Sequence, residues 1–411
     1  MRIASLDRSQ LASARSVLAA ACVFDRADVV ADEKLFGLGP KGAPIAIGAW
    51  MSSEELASWT GTASAALTVG LTAGLSAGLT AGSSPNLTAA SSLIEATPAS
   101  STAASPTEAS SYGGEVLVGV ASVCANRIRV LAVHPDARKR GVGSALLGAC
   151  EETARANGAT SVRTLDEPGN YLAPGVDERN TETIAWLERR GWQRSGELRE
   201  NVLIHVRDNP RVTQQRLDSL ITACATRGYE VRRARADEYA LLDAVSSEFG
   251  GAWPFELARA LDHETIAATS TPTSTPTTTP TTTPATTPAT PATPTTTPAT
   301  TPATTPTTPM TTPTTTPTTT PAVHVALRDG QYCAFAAHDG NNAGLGWFGP
   351  TGTWPAHRGN GLGEAVLVAC LLDVAAEHEH CEVAWIGPRP FYDKVAGVAS
   401  DRRFVLLVKT L

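Results

Sequence analysis

Hydrophobic and polar positions alternate in several short runs of the chain, and longer segments with helical spacing separate these runs. In the first half, the alternating runs predict strands at residues 2–6, 44–50, 115–123 and 126–135. The segments 9–24 and 136–158 carry apolar residues at helical spacing, and Gly158 is a helix C-cap signal. This half of the chain therefore predicts a mixture of strands and helices.

The second half of the chain shows a similar succession of patterns. Residues 229–264 predict a short strand followed by helices, and alternating runs on either side of Asp329-Gly330 predict a β-hairpin. A glycine-rich stretch and another helical segment follow, as they do in the first half. The repeated order predicts an internal duplication, with domains at 1–208 and 209–411.

Two tracts of biased composition interrupt these patterns. Residues 61–111 are rich in Ala, Ser, Thr, Gly and Leu, and residues 269–321 consist almost wholly of Thr, Pro and Ala. Closely spaced prolines remove N–H donors and fix φ, so the second tract cannot form a helix or a sheet. We expect both tracts to be disordered inserts, one in each domain. The uncharged stretch 65–82 is rich in Ser, Thr and Gly, which favours an insert over a membrane span.

Length, charge and cysteine content limit the kinds of protein that this chain can be. A chain of 411 residues is long enough for two hydrophobic cores, and its net charge of −7 argues against a nucleic-acid binder. The seven cysteines are dispersed without a Cys-x-x-Cys pair, which predicts reduced thiols and neither a disulfide framework nor a zinc site. The N-terminus shows no apolar stretch behind a basic start, so we expect a cytoplasmic protein that does not act at a membrane.

The motif Arg-x-x-Gly-x-Gly occurs twice, at 138–143 and 358–363, each time between a predicted strand and a predicted helix. The first turn of a helix has unsatisfied N–H groups, and glycines allow an anion to approach them closely. The motifs therefore predict a phosphate site, most readily for a diphosphate. A P-loop needs Gly-Lys-Ser/Thr, and a Rossmann site needs its glycines after the first strand, so neither fits. A glycine-rich helix start without a ligand is the alternative, and two copies in one context make it less favoured.

The residues around both motifs resemble those of the GCN5-related N-acetyltransferases (GNAT). Residues 128–147 and 348–367 look like the central strand and the acetyl-CoA pyrophosphate loop of that family, and residues 180–192 and 387–397 look like its last conserved helix. The resemblance implies an α/β fold (α+β mixed sheet) with two tandem GNAT domains, each interrupted by a low-complexity insert. Residues 169–177 are more narrowly similar to bacterial tandem acetyltransferases that act on glucosamine and glucosaminides.

The resemblance also implies a reaction and the residues that bind its cofactor. Acetyl-CoA would donate its acetyl group to a primary amine of a small molecule, such as glucosamine or a glucosaminide, by direct attack. Strand backbone groups would hold the pantetheine and the acetyl carbonyl, at Leu131, Ala132, Val133, Thr351, Gly352 and Thr353. Loop groups would hold the diphosphate, at Arg138, Lys139, Arg140, Gly141, Val142, Gly143, Ser144, Arg358, Gly359, Asn360, Gly361, Leu362, Gly363 and Glu364.

The last helix of the family usually carries a tyrosine that protonates the leaving thiolate. Tyr392 occupies that place in the second half, whereas the first half has Leu187, so we expect catalysis in the second half. A packing aromatic is the alternative reading of the tyrosine. For the general base, Asp339 is the leading candidate, Glu382 the second and His338 the third. Each of these could equally be a residue without a catalytic role.

Two other functions remain open at this point. One is a thiol-biosynthesis acetyltransferase similar to mycothiol synthases, which also have tandem halves. The other is a non-catalytic CoA-binding or scaffold protein, because one half has lost its tyrosine. The sequence does not name the acceptor amine or predict an oligomeric state.

Overall fold

The computed structural model describes residues 1–60, 114–270 and 321–411. The predicted inserts therefore lie almost entirely outside the described residues, as does the stretch 65–82. Residues 269 and 270 of the second tract belong to a helix that ends at Ser270. Within the described ranges, every helix is too short or too polar to cross a bilayer.

The first half contributes seven strands and five helices to the described chain. The strands are β1 (Arg2–Ser5), β2 (Ile45–Ser52), β3 (Glu115–Cys124), β4 (Arg127–Val133), β5 (Ser161–Thr164), β6 (Val176–Asp177) and β7 (Gln193–His205). The helices are α1 (Leu11–Ala21), α2 (Ala31–Phe36), α3 (Ser53–Thr60), α4 (Val142–Ala156) and α5 (Thr181–Glu188). All four strands predicted here are present, and Gly158 follows α4 with a φ of 79°.

The second half repeats this pattern behind an additional helix. The helices are α6 (Gln214–Ala225), α7 (Ala240–Glu248), α8 (Trp253–Ser270), α9 (Leu362–Ala375) and α10 (Arg389–Val395). The strands are β8 (Glu230–Arg233), β9 (Ala322–Arg328), β10 (Gln331–His338), β11 (Trp347–Thr353), β12 (His380–Val383) and β13 (Ser400–Thr410). The predicted hairpin at Asp329-Gly330 is confirmed, with both residues at positive φ between β9 and β10.

The described strands form one mixed sheet. Its order is β1-β2-β3-β4-β5-β13-β7-β12-β11-β10-β9-β8, with β6 beside β13. Most neighbours are antiparallel, but β4 runs parallel to β5 and β11 runs parallel to β12. Each half has two hydrophobic clusters, one on either face of the sheet. This arrangement confirms the predicted α/β fold with a mixed sheet.

Each half completes its part of the sheet with the last strand of the other half. The strand β7 pairs with β12, and β13 pairs with β5, while β7 and β13 lie side by side. The predicted boundary at residue 208 divides the sequence into two halves, but strands from one half pair with strands from the other within the sheet. The two segments outside the described ranges stand at different places in the two halves. The first follows β2 and α3, whereas the second precedes β9. The predicted order of elements is therefore common to both halves except that the position of the insert differs by one strand.

Buried polar side chains join the two halves beside the exchanged strands. The Lys34 ammonium group is 1% exposed and donates to Glu33 at 2.6 Å, Asn170 at 2.9 Å and Asn341 at 2.8 Å. Arg259 of the second half adds an ion pair with Glu33 at 2.6 Å. Burial lowers the pKa of Lys34 to about 8, although Glu33 raises it. Because a buried charge without its partner is costly, this network fixes one relative placement of the halves.

Glu256 in the same interface should make stability depend on pH. Burial raises its pKa from 4.5 to about 7, although Arg259 and Lys34 lower it. The folded protein therefore binds this proton more tightly than the unfolded chain, and stability falls as pH rises between these values. We expect Glu256→Gln to be more stable than the parent by about 1–3 kcal/mol at pH 8 and equal to it near pH 4.

Urea denaturation at both pH values measures this effect. The matched control is Glu248→Gln, which changes an exposed glutamate of α7 and should keep the parental pH dependence. Identical pH profiles for the two variants would contradict the assignment to Glu256.

Candidate active site

In each half, two parallel strands pair briefly and then diverge. The strands β11 and β12 are paired only at Trp347–Glu382 and Phe348–Val383, and β11 then continues to Thr353 paired with β10 but not with β12. The backbone of residues 349–353 therefore has an open edge towards β12. The predicted pantetheine-binding positions 351–353 lie along this edge, where an extended ligand can add hydrogen bonds as a strand would.

The first half has the same divergence. Here β4 and β5 pair at Arg127–Arg163 and Ile128–Thr164, and β4 continues to Val133 paired with β3 but not with β5. The predicted positions 131–133 lie along that open edge. Both halves thus have a backbone groove of the same kind.

Each diverging strand leads into a glycine loop at the start of a helix. Gly141 begins α4 with a φ of 83° and Gly361 begins α9 with a φ of 82°, a left-handed conformation that glycine adopts at little cost. Within the described residues, the N–H groups of 141–144 and 361–364 donate to no backbone carbonyl. These free donors and the helix dipole can bind an anion at both loops.

Arginine side chains donate hydrogen bonds to backbone carbonyls in or next to both glycine loops. The Nε atoms of Arg138 and Arg358 each donate at 3.2 Å to the last carbonyl of the preceding strand, at Val133 and Thr353. In the second half, Arg227 also donates to the carbonyl of Asn360 at 2.8 Å. Arg227 was not predicted from the sequence, because the helix α6 that it follows was not predicted either.

The last helices of the two halves carry Leu187 and Tyr392 but end differently. The helix α5 ends one residue after Leu187, with the left-handed Gly191 four residues after it, whereas α10 ends three residues after Tyr392, with the left-handed Gly397 five residues after it. Leu187 packs in the cluster that contains α4, and Tyr392 packs in the cluster that contains α9. The two side chains therefore lie in corresponding clusters of the two halves.

Tyr392 lies at the point where β11 and β12 diverge. Its ring is 6.2 Å from that of Phe348, the last residue of β11 that pairs with β12. It also packs at 5.1 Å against Phe391, and only 4% of the residue is exposed. Burial raises the pKa of the phenol above its usual value, so the group is protonated at neutral pH and can donate a proton.

Two of the three candidate bases are enclosed by partners. The Asp339 carboxylate is fully buried and accepts the N–H groups of Gly346 at 2.9 Å and Trp347 at 3.1 Å. The imidazole of His338 is equally buried, 3.2 Å from Asp339 and 3.4 Å from Asp373. Burial lowers the pKa of His338, but its bonds to the two carboxylates outweigh this and raise it. Asp339 therefore fixes the loop between β10 and β11, and His338 connects Asp339 to Asp373 of α9.

A cavity of about 260 Å³ lies between the two halves. The first half contributes Phe24, Asp25, Arg26 and Leu172 to its wall, and the second contributes Leu345, Trp347, His378, Glu379, His380, Glu382 and Arg402. Of the three candidate bases, only Glu382 lines it. The remaining wall residues were not predicted, because they come from distant parts of the sequence.

The Glu382 carboxylate is held in place within this cavity. It accepts a bond from Asn201 at 2.6 Å and two from Arg402 at 3.0 Å. Burial raises its pKa, although the Arg402 guanidinium lowers it. The Glu382 carboxylate therefore has a fixed position at the cavity wall and can accept a proton there.

The two faces of the sheet carry different groups at the divergence of β11 and β12. Trp347 and Glu382 face the cavity, whereas Phe348 and Val383 face α9 together with Tyr392. A carboxylate and a phenol thereby lie on opposite faces of the sheet at the point where the two strands diverge. This arrangement suits a reaction in which the carboxylate accepts a proton on one face of the sheet and the phenol donates a proton on the other.

The first half lacks both groups at the equivalent positions. Its pair Arg127–Arg163 corresponds to Trp347–Glu382, so an arginine stands where the second half has the carboxylate. Asp166, 2% exposed, forms ion pairs with Arg127 at 2.9 Å and Arg163 at 2.7 Å. These ion pairs occupy the side of the sheet on which the second half has its cavity.

Comparisons with known proteins agree with this geometry. Residues 109–194 match the acetyltransferase (GNAT) domain, and a comparison with curated proteins gave no match. Among solved structures, the chain is similar to a tandem GNAT protein from the clavulanic acid biosynthesis pathway, with 15% identity and a TM-score of 0.52 over 100% of this chain and 98% of the other.

The chain is also similar to a GCN5-related glucosamine N-acetyltransferase region in a fungal multi-domain β-N-acetylglucosaminidase, with 12% identity and a TM-score of 0.55 over 99% of this chain. It spans only 38% of the length of that fungal protein. At such identities these likenesses show the fold, while the family match at 109–194 shows the type of domain. The chain therefore contains a GNAT acetyltransferase domain at residues 109–194, and the whole chain has the fold of a tandem GNAT protein.

Proposed function

We propose that the second half transfers the acetyl group of acetyl-CoA to the primary amine of a small polar molecule, of the class of glucosamine and glucosaminides. One observation carries the proposal. Glu382 and Tyr392 flank the divergence of β11 and β12 from opposite faces, whereas the first half has Arg163 in place of Glu382 and has Leu187 in the corresponding cluster beside its last helix. The first half then serves to complete the sheet and the acceptor cavity.

The residues of the second half fit acetyl-CoA. The free N–H groups at the start of α9 and the guanidinium of Arg358 suit its diphosphate, and the open edge at 351–353 suits its pantetheine arm. Bound there, the cofactor supplies a thioester carbonyl that an amine can attack. Residues 131–133 and 138–144 offer the first half an equivalent cradle, without the catalytic side chains beside it.

The proton transfers are assigned to two side chains. Glu382 receives the proton of the attacking amine, directly or through one water, and Asn201 and Arg402 keep its carboxylate in position. Tyr392 gives its phenolic proton to the leaving thiolate. An amine with a pKa of about 8 needs a weaker base than a lysine at about 10.4, which suits a carboxylate. Asp339 acts as a positioning residue, because it holds the N–H of Trp347 at the cavity wall.

The cavity supports a small amine of mixed polarity as the acceptor. Its volume of about 260 Å³ lies below the usual range of sites for drug-sized ligands. The carboxylate of Glu379 attracts an ammonium group, whereas Asp25 is already ion-paired with Arg402 at 2.7 Å. The rings of Phe24 and Trp347 offer flat apolar surfaces to a sugar-sized molecule. The similarity to the fungal glucosamine N-acetyltransferase region supports the same class of acceptor.

Turnover should depend on the phenol of Tyr392. We expect Tyr392→Phe to lower kcat by about 100-fold or more, since general acid catalysis typically contributes this much. The KM for acetyl-CoA should change little, because the ring is retained. Thiol release measures both constants.

The matched control is Tyr332→Phe, which removes a hydroxyl that donates to Glu238 at 3.0 Å on the same half. It should keep the parental kcat, as should Leu187→Ala in the first half once its loss of stability is allowed for. Full turnover in Tyr392→Phe would contradict the assignment of the active half.

A panel of acceptors separates the proposed function from its alternatives. Mass spectrometry of reactions with glucosamine, glucosaminides, amino acids and cysteine-linked amino sugars identifies the acetylated product. Acetylation confined to a cysteine-linked amino sugar would favour the thiol-biosynthesis function. Absence of thiol release with every amine, in a protein that binds CoA, would favour the scaffold.

A further inference from the structure

Two histidines face each other where the halves exchange strands. His205 is the last residue of β7 and His380 is the first of β12, and the two are direct partners in the antiparallel pair. Their Nε2 atoms are 3.0 Å apart and their ring centroids 4.0 Å apart. The carboxylate of Glu379 joins them, with the ligand atoms of all three within 4.8 Å of one another.

We propose that His205, Glu379 and His380 bind one divalent transition-metal ion of the zinc class. Nitrogens at about 2.0–2.1 Å from a tetrahedral ion stand roughly 3.3–3.4 Å apart, so the two Nε2 atoms need to separate by only a few tenths of an ångström, while the rings must turn so that both nitrogens point at the ion. The backbone holds the three residues side by side, because the carbonyl of Glu379 accepts the N–H of Val206 at 2.9 Å. The ion then has to order only the three exposed side chains.

The donor set favours zinc, nickel or copper over calcium or magnesium. Imidazole nitrogen is a preferred ligand of the former ions, whereas calcium and magnesium require oxygen ligands. The Glu379 carboxylate offsets part of the ion's charge, and the exposure of the cluster gives the ion a path from solvent. Three protein ligands leave a fourth position for water.

An ion at this position would act as a clamp between the halves. It would tie the end of β7, which belongs to the first half of the sequence, to the start of β12 in the second half. Because only the folded sheet brings these residues together, binding stabilises the folded chain by mass action. This inference does not rest on the proposed acetyl transfer, which uses Glu382 and Tyr392, although Glu379 and His380 also line the proposed acceptor cavity.

Calorimetric titration of the full chain with zinc chloride tests the proposal. The protein must carry no histidine tag and be treated with a chelator beforehand. We expect one ion per chain and a rise in Tm with zinc that the chelator reverses. In the double variant His205→Asn/His380→Asn, affinity should fall at least tenfold and the rise in Tm should vanish. The control His134→Asn changes a histidine outside the cluster and should bind as the parent does.

Cobalt substitution keeps the test decisive if the double variant is unstable. Cobalt(II) bound by His205, His380 and Glu379 should give visible d–d absorption without the near-ultraviolet charge transfer of a thiolate ligand. A thiolate charge-transfer band would show that one of the seven cysteines binds the ion, which would overturn the proposal. Unchanged zinc affinity in a folded double variant, or no binding by the parent at micromolar zinc, would overturn it as well.

Discussion

A chain that ends after Ala399 should fail to fold cooperatively. The truncation removes β13, which lies between β5 and β7 in the interior of the sheet and buries Phe404, Val405, Leu406 and Leu407. Burial of such side chains stabilises a protein by about 1.5–3 kcal/mol each, or roughly 6–12 kcal/mol for the four. That is comparable with the whole stability of a typical domain, about 5–15 kcal/mol. Circular dichroism during urea denaturation measures the effect.

Removal of residues 1–5 is the matched control for this truncation. It deletes β1, which is an edge strand paired only with β2, so a cooperative transition should remain at lower urea. A truncated chain without β13 that unfolds as sharply as the control would show that the strand exchange contributes little to stability.

Gly361→Val should abolish tight CoA binding in the second half. The left-handed φ of 82° disfavours any β-branched residue, and the valine side chain would stand among the free N–H groups that suit the diphosphate. Measured in a Gly141→Val background, so that the loop of the first half cannot contribute, CoA affinity should fall by about 100-fold or more. Isothermal titration calorimetry decides this, and turnover should fall with it.

Backbone strain must be separated from loss of binding in this experiment. Gly330 has a similar left-handed φ of 75° in the hairpin between β9 and β10, outside the glycine loops. We expect Gly330→Val to lose a similar amount of stability while keeping CoA affinity. Unchanged affinity in Gly361→Val would mean that the loop binds no phosphate.

The local features of the sequence predicted much of the fold and of the glycine loops. Alternation located most strands, and the two Arg-x-x-Gly-x-Gly motifs do lie at helix starts with left-handed glycines. The contrast between Leu187 and Tyr392 was also visible in the sequence, because both precede a helix-ending glycine. These features depend on neighbours in the chain, which is why a pattern can show them.

Features that depend on distant partners were not predictable in the same way. The alternation of hydrophobic and polar residues in β7 and β13 does not indicate that each strand pairs with the other half, because the same pattern suits a strand of either half. The preference for Asp339 as general base could not include its bonds to the N–H groups of Gly346 and Trp347. The cavity beside Glu382 forms only when residues around Asp25 meet it across the chain.

The exchanged strands also bear on how the protein is made. A ribosome delivers β5 long before residues 400–410, so the sheet of the first half waits for its interior strand until translation is almost complete. Pairing over so many residues is slow, and an unpaired strand edge can associate with other chains. The second half has no such delay, because β7 already exists when β12 emerges. Nascent chains stalled before residue 400 should therefore be the species that chaperones must protect.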